Sequence, residues 1–329
     1  MLQLFKSNNP GVVVFYLLYL VVLRVCLWFV PIEPMSVAGH HEPLTLLVFG
    51  SLNSLGKAYP LVSTLLAATL TFIQALVING IVNGNKITTR KNYVGGLLYL
   101  LVASWLPQQL FLTPAGISLT FIILLTSRIF SLIRNEKAYG DIFDVGFLAA
   151  LAALFYFPAI VFILFGYIGL STVRSFVYRE WIIVLLGFVS PLFLTFTYYY
   201  FTDTPMPQLF SGGWLQGLDL STFTVLCVGI LTVLTMALLL VLPAVLYSTL
   251  IQVRKFSTLL IFSVFVIAGA FFLQWTASWT HLVYLALPVS VLGTMLVMQI
   301  KNETVSEVIH LMLILLLLAG QYVPLLHLI

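Results

Sequence analysis

The segment Pro31-Ile-Glu-Pro-Met-Ser-Val-Ala-Gly-His-His-Glu-Pro43 gathers the residue types that do chemistry: Glu33, His40, His41 and Glu42. A carboxylate in such a loop can act as general base toward a hydroxyl acceptor, and a histidine beside it can orient or share the proton. The plainer reading of the same residues is a loop that its charges keep in water. His40, His41 and Glu42 are also metal-ligand types, but neighbours in a loop rarely face one ion together. A fourth ligand would have to come from Asp203 or His281, with no recognised spacing, so no metal is expected. Arg24 sits in the apolar run before this loop. Its guanidinium suits the geometry of a phosphate, and an alternative is that it snorkels to the membrane surface.

Other familiar chemistry is missing. The chain has no nucleotide-binding loop, G-x-S-x-G elbow, H-E-x-x-H or C-x-x-C motif. It also lacks intramembrane acids spaced as a proton relay and an arginine ladder, which weakens an ion-driven transporter. No Lys/Arg run is long enough for a nucleic-acid surface, and nothing implies a cofactor. Cys26 and Cys227 lie in apolar stretches and read as small buried hydrophobes. Gln74, Asn79, Asn83, Gln108, Gln109 and Gln252 read as helix-to-helix hydrogen-bonding groups, and Asp141 and Asp144 as first-turn acids of a helix.

The elements that must position these residues follow from composition. Hydrophobic residues make up 61% of the 329 and charged residues only 7%, too few to cover a globular surface in water. Apolar segments fall at roughly 11–31, 59–83, 93–112, 115–134, 143–173, 181–201, 220–250, 256–275, 281–300 and 304–326. A bilayer span takes about 20 such residues, and backbone groups inside lipid must bond to one another, so these segments are expected to be helices. The first is too long for a signal-peptide core and no A-x-A site follows it, so it is expected to remain as the first span. Residues 44–52 are too short to span and are expected at the interface or dipping into it.

Lys and Arg set the orientation. With Lys6 in the cytoplasm, Lys86, Arg90 and Lys91, then Arg128, Arg134 and Lys137, return to that side. A single crossing over 143–173 would send Arg174, Arg179, Arg254, Lys255 and Lys301 outward. A hairpin turning at Tyr156-Phe157-Pro158 keeps them inside, and proline favours a break there. Every Lys and Arg except Arg24 and Lys57 then lies on the cytoplasmic side. The expected fold is all-α: one integral membrane domain over 1–329, a polytopic helical bundle with nine full spans and a two-helix membrane hairpin. The N-terminus is cytoplasmic in a bacterial inner membrane, and the outer face carries loops 32–58 and 202–219. Trp105, Trp214, Trp275, Trp279 and Tyr198–Tyr200 cluster near outer edges, as in an interfacial aromatic belt.

Two stretches carry a resemblance: Ile81-Val-Asn-Gly-Asn-Lys-Ile-Thr-Thr-Arg-Lys-Asn-Tyr93 running into Gly96–Ser104, and Asp141–Pro158 followed by Arg179-Glu-Trp181 and Gly187–Pro191. With the Leu-Phe-Lys-Ser-Asn-Asn-Pro start, the chain resembles a multipass inner-membrane family of Bacteroidota, a domain of unknown function. The short helix, break near proline, second short helix and basic residues also resemble the hairpin of GT-C glycosyltransferases. That resemblance implies transfer of a sugar from a polyprenyl-phosphate carrier at the outer face, with the catalytic acid in the first outer loop. By position Glu33 or Glu42 matches that acid, and Arg24 or Lys57 meets the donor phosphate. His40, His41, Asp203 and His281 are further candidates for substrate contact. The chain departs from the GT-C pattern in lacking a paired acidic motif in the loop, many outer cations and an extra soluble domain. The alternatives are a non-catalytic subunit of an envelope complex with membrane-protein partners, and a small-solute or lipid transporter.

Overall fold

The computed structural model describes residues 2–25, 42–58, 60–133, 138–203, 222–247, 249–271, 273 and 279–326, and no strand occurs among them. The chain begins with a short helix α1 (Leu2–Lys6), then α2 (Val13–Leu23), α3 (Pro43–Ala58) and α4 (Pro60–Gly84). A ten-residue α5 (Val94–Ala103) leads to α6 (Pro114–Ser131), α7 (Tyr139–Phe155), α8 (Phe162–Val173) and α9 (Tyr178–Phe201). The rest is α10 (Thr222–Leu246), α11 (Ile251–Phe271), α12 (Ala286–Gln299) and α13 (Glu303–Leu326). Proline opens α3, α4 and α6, where its missing N–H costs nothing. Thr113 caps α6 by accepting from Gly116 N at 3.1 Å, and Asn302 accepts from Thr304 N at 3.0 Å at the start of α13.

Among the described residues, six helical stretches are long and apolar enough to cross a membrane: Val62–Gly84, Pro114–Ser131, Tyr178–Phe201, Val225–Leu246, Ile251–Phe271 and Trp279–Gln299. Pro10–Leu23, Val94–Ala103 and Phe157–Val173 are apolar but shorter. The expected 93–112 span is therefore interrupted. Its helix stops at Ala103, and Trp105 turns inward to donate to Cys227 O at 2.9 Å, so it is a buried side chain rather than part of a surface belt.

Burial sorts the helices. The apolar stretch holding α12 is 78% buried, against 17% for α9 and 22% for α10. The outer helices present Leu185, Phe193, Phe196, Met236 and Leu240 outward. Such a surface suits lipid and not water, which makes this a multipass membrane protein.

Helix α7 ends at Phe155, Tyr156 is extended (φ −149, ψ 104), and Pro158 opens a 3-10 turn, Phe157–Val161, that leads into α8. The chain reverses there. A Cβ on Gly166 of α8 would stand 2.9 Å from Val145 Cγ1, about as far before the turn as Gly166 is after it. Helix α9 then runs parallel to α7, in backbone contact: a Cβ on Gly146 would strike Val184 O, and one on Gly187 would strike Phe143 O. Paired glycines are what allow this approach.

The reversal returns Arg174 to the end of the bundle that holds the other cations. One cavity there is lined by Leu132, Arg174 and Lys255, and a second joins Gly84 and Asn85 to Ser131. Arg128 pairs with Asp141 at 3.1 Å and Asp144 at 3.2 Å across the α6–α7 connection. Lys6 donates to Ile300 O at 3.3 Å, and Phe5 O accepts from Tyr93 N at 2.7 Å, which docks α1 on the same end. Burial pushes the Lys6 ammonium below its usual value, against the opposing pull of Glu303 and Glu307. Among the described residues, the Lys and Arg side chains outside Arg24 gather at this one end.

Candidate functional site

The opposite half of the bundle holds a buried polar layer, built across α6. On one side Gln74 of α4 donates to Gly116 O at 2.8 Å and Thr120 Oγ1 at 2.7 Å, while its Oε1 accepts from Tyr99 of α5 at 2.7 Å. One turn away on α4, Thr71 accepts from Arg24 Nη2 at 3.1 Å. On the other side Tyr284 donates to Ser118 Oγ at 2.8 Å, and Ser118 donates to Ala152 O at 2.9 Å. In an apolar bundle these bonds meet the demand that buried polar groups be paired, and they tie together five helices, α2, α4, α5, α6 and α7.

The layer continues into the turn after α7. Thr45 of α3 donates to Phe155 O at 2.5 Å, and Glu42 Oε1 accepts from Phe157 N at 3.3 Å. The Glu42 carboxylate thus sits at the start of the 3-10 turn, where an acceptor satisfies a backbone N–H left over by the broken helix. Glu42 is only 2% exposed. Thr280 shares a hydrogen bond with the Tyr156 hydroxyl, and the Glu42 charge reaches both Tyr156 and Tyr284. A carboxylate held by a backbone amide can accept or relay a proton.

The candidate residues fall as follows. Arg24 is the C-cap of α2, 7% exposed and bonded to Thr71, so it points into the bundle instead of reaching for the surface. His281 is buried in the 3-10 segment Trp279–Leu285, its ring 5.2 Å from that of Phe271. Asp203 is exposed just beyond α9, in a left-handed conformation (φ 49). The end of α9 is tied to the start of α3 by Tyr199 donating to Pro43 O at 3.3 Å. The structure therefore brings Glu42, the segment carrying His281 and the end of the helix preceding Asp203 to the turn around Tyr156. Arg24 lies on the far side of α6. Lys57 is in α3 with its side chain outside the described residues, as are Glu33, His40 and His41 entirely. Among the described residues no three His, Cys, Asp or Glu side chains meet as a metal site.

Sequence reasoning gave no chemical role to Tyr156, Tyr284, Ser118 and Thr280, hydroxyls whose role depends on partners far along the chain. Between Thr71, Gln74, Tyr99, Gln109 and Gly116 the layer leaves a cavity of about 20 Å³, room for one water. Comparison with protein-family models, with curated proteins and with solved structures finds no match to this chain.

Proposed function

We propose that the chain is a GT-C-like membrane protein of cell-envelope glycan assembly, transferring a sugar from a polyprenyl-phosphate carrier at the end opposite its cations. In this reading it crosses a bacterial inner membrane nine times, with 143–173 as a returning hairpin. The basic end is cytoplasmic, as positive residues favour. One observation carries the reading: the chain entering and leaving 26–41 is fastened at the non-basic end, through Arg24 on Thr71 and Glu42 on Phe157 N. On this reading Glu33, His40 and His41, which fall between those two anchors in the sequence, serve the face where a lipid-linked donor and an envelope acceptor meet. Glu33 is then the base toward the acceptor hydroxyl, and Glu42 orients the loop against the turn.

A second reading, a non-catalytic subunit of an envelope complex, is favoured by the same Glu42, whose buried carboxylate serves a backbone amide. The two separate in a deletion strain complemented with Glu33→Gln or Glu42→Gln at wild-type membrane levels. The transferase reading expects Glu33→Gln to fail and lipid-linked sugar to accumulate, while Glu42→Gln, which keeps an acceptor oxygen for Phe157 N, retains partial function. Full complementation by both variants and by the double variant removes the enzyme and leaves the subunit.

A further inference from the structure

At the basic end, a cavity of about 480 Å³ opens between the end of α6, the α8–α9 turn and the first turn of α11. It is far larger than the roughly 30 Å³ share of one water. Glu180, 7% exposed, lines it. Its Oε1 is held by Arg174 Nη1 at 2.5 Å, but its Oε2 is buried with no hydrogen-bond partner. A buried carboxylate oxygen left without a donor is costly, and a turn of the Glu180 side chain that brings Oε2 to the cavity lets a ligand N–H satisfy it. Lys255 and Gln252 line the same cavity, and the N-terminal turns of α9 and α11, the positive ends of their dipoles, open onto it. Leu132, Val173 and Ile251 make its remaining wall apolar.

The charges select the ligand. A simple anion would face Glu180 Oε2, and a metal cation would face Arg174 and Lys255. A molecule with an ammonium two carbons from a phosphate satisfies both halves, and the cavity lies at the ends of the apolar helices α6, α9 and α11, where a bilayer spanned by them would place its headgroups. We propose that this cavity is a binding site for an aminophospholipid headgroup, with the primary ammonium donating to Glu180 Oε2 and the phosphate meeting Lys255 and the helix N-termini. The glycerol and first acyl carbons lie on Leu132, Val173 and Ile251. This site is independent of the transferase reading.

The test is lipid retention by the purified full chain, read by native mass spectrometry in equimolar mixtures of palmitoyl-oleoyl phosphatidylethanolamine, phosphatidylcholine and phosphatidylglycerol. Trimethylation removes every N–H donor and keeps the charge, so the ethanolamine lipid is expected to be retained about tenfold over the choline lipid. Glu180→Gln should bring that ratio to within about twofold, whereas Lys255→Ala, at an exposed position, should weaken both lipids alike because the phosphate grip is common to them. Equal retention of the choline or glycerol lipid by the wild-type chain overturns the proposal without recourse to any variant. So does an ethanolamine preference that survives in Glu180→Gln.

Discussion

Glu42 shows how one residue changes meaning between sequence and structure. Its type and its neighbours marked it for proton chemistry, and in the structure its carboxylate is buried and accepts from a backbone amide. What no spacing rule could supply is Phe157, its amide partner 115 positions away. Asp141 and Asp144 were readable because their roles are local: Asp141 lies in the first turn of α7, and Arg128, just across a short connection, pairs with both. Trp105 was misleading for the same reason as Glu42, since its carbonyl partner at Cys227 is distant in sequence. If the Glu42 carboxylate holds the turn, Glu42→Ala should lower unfolding stability in detergent by about 1–3 kcal/mol, the cost of orphaning a buried amide. Glu42→Gln should lose clearly less, and equal losses in the two variants would show that the carboxylate has no such role.

At the scale of elements, breaks were legible where proline makes them. Pro158 lacks an N–H and opens the 3-10 turn after Tyr156, and Pro107 lies in the break that shortens α5. The extent of that second break was not legible, because α5 ends four residues earlier, where the chain turns to seat Trp105. The pairing of α7 with α9 was not legible either. Gly146 and Gly187 read as ordinary small residues until their backbones are seen to touch. That contact gives a contrast between two identical substitutions. Gly187→Ala drives a methyl into Phe143 O and should cost about 1–3 kcal/mol by overpacking. Gly269→Ala in α11 meets only Val161 Cγ1 at an ordinary 3.9 Å, and should be neutral or stabilising by up to about 1 kcal/mol through helix propensity. Matching thermal shifts for the two would refute backbone contact between α7 and α9.

For the whole molecule, composition told most: 61% hydrophobic and 7% charged residues leave no route to a water-covered globule. The described helices follow, with six stretches of spanning length and an exterior of exposed Leu, Phe, Val and Met. Charge placement organised the rest, since the cations gather at one end only if the chain comes back at Tyr156. The polar layer in the other half was invisible to any count of apolar segments, because most of its side chains sit inside them. The most direct test places single cysteines in a chain whose Cys26 and Cys227 are replaced by alanine, and probes intact cells with a membrane-impermeant thiol reagent. Tyr139→Cys and Phe176→Cys, exposed positions at the start of α7 and just before α9, should both stay protected until the membrane is opened, while Thr202→Cys, beyond α9, should label at once. Labelling of Tyr139→Cys and Phe176→Cys from opposite sides would contradict the reversal and the one-sided placement of charge that depends on it.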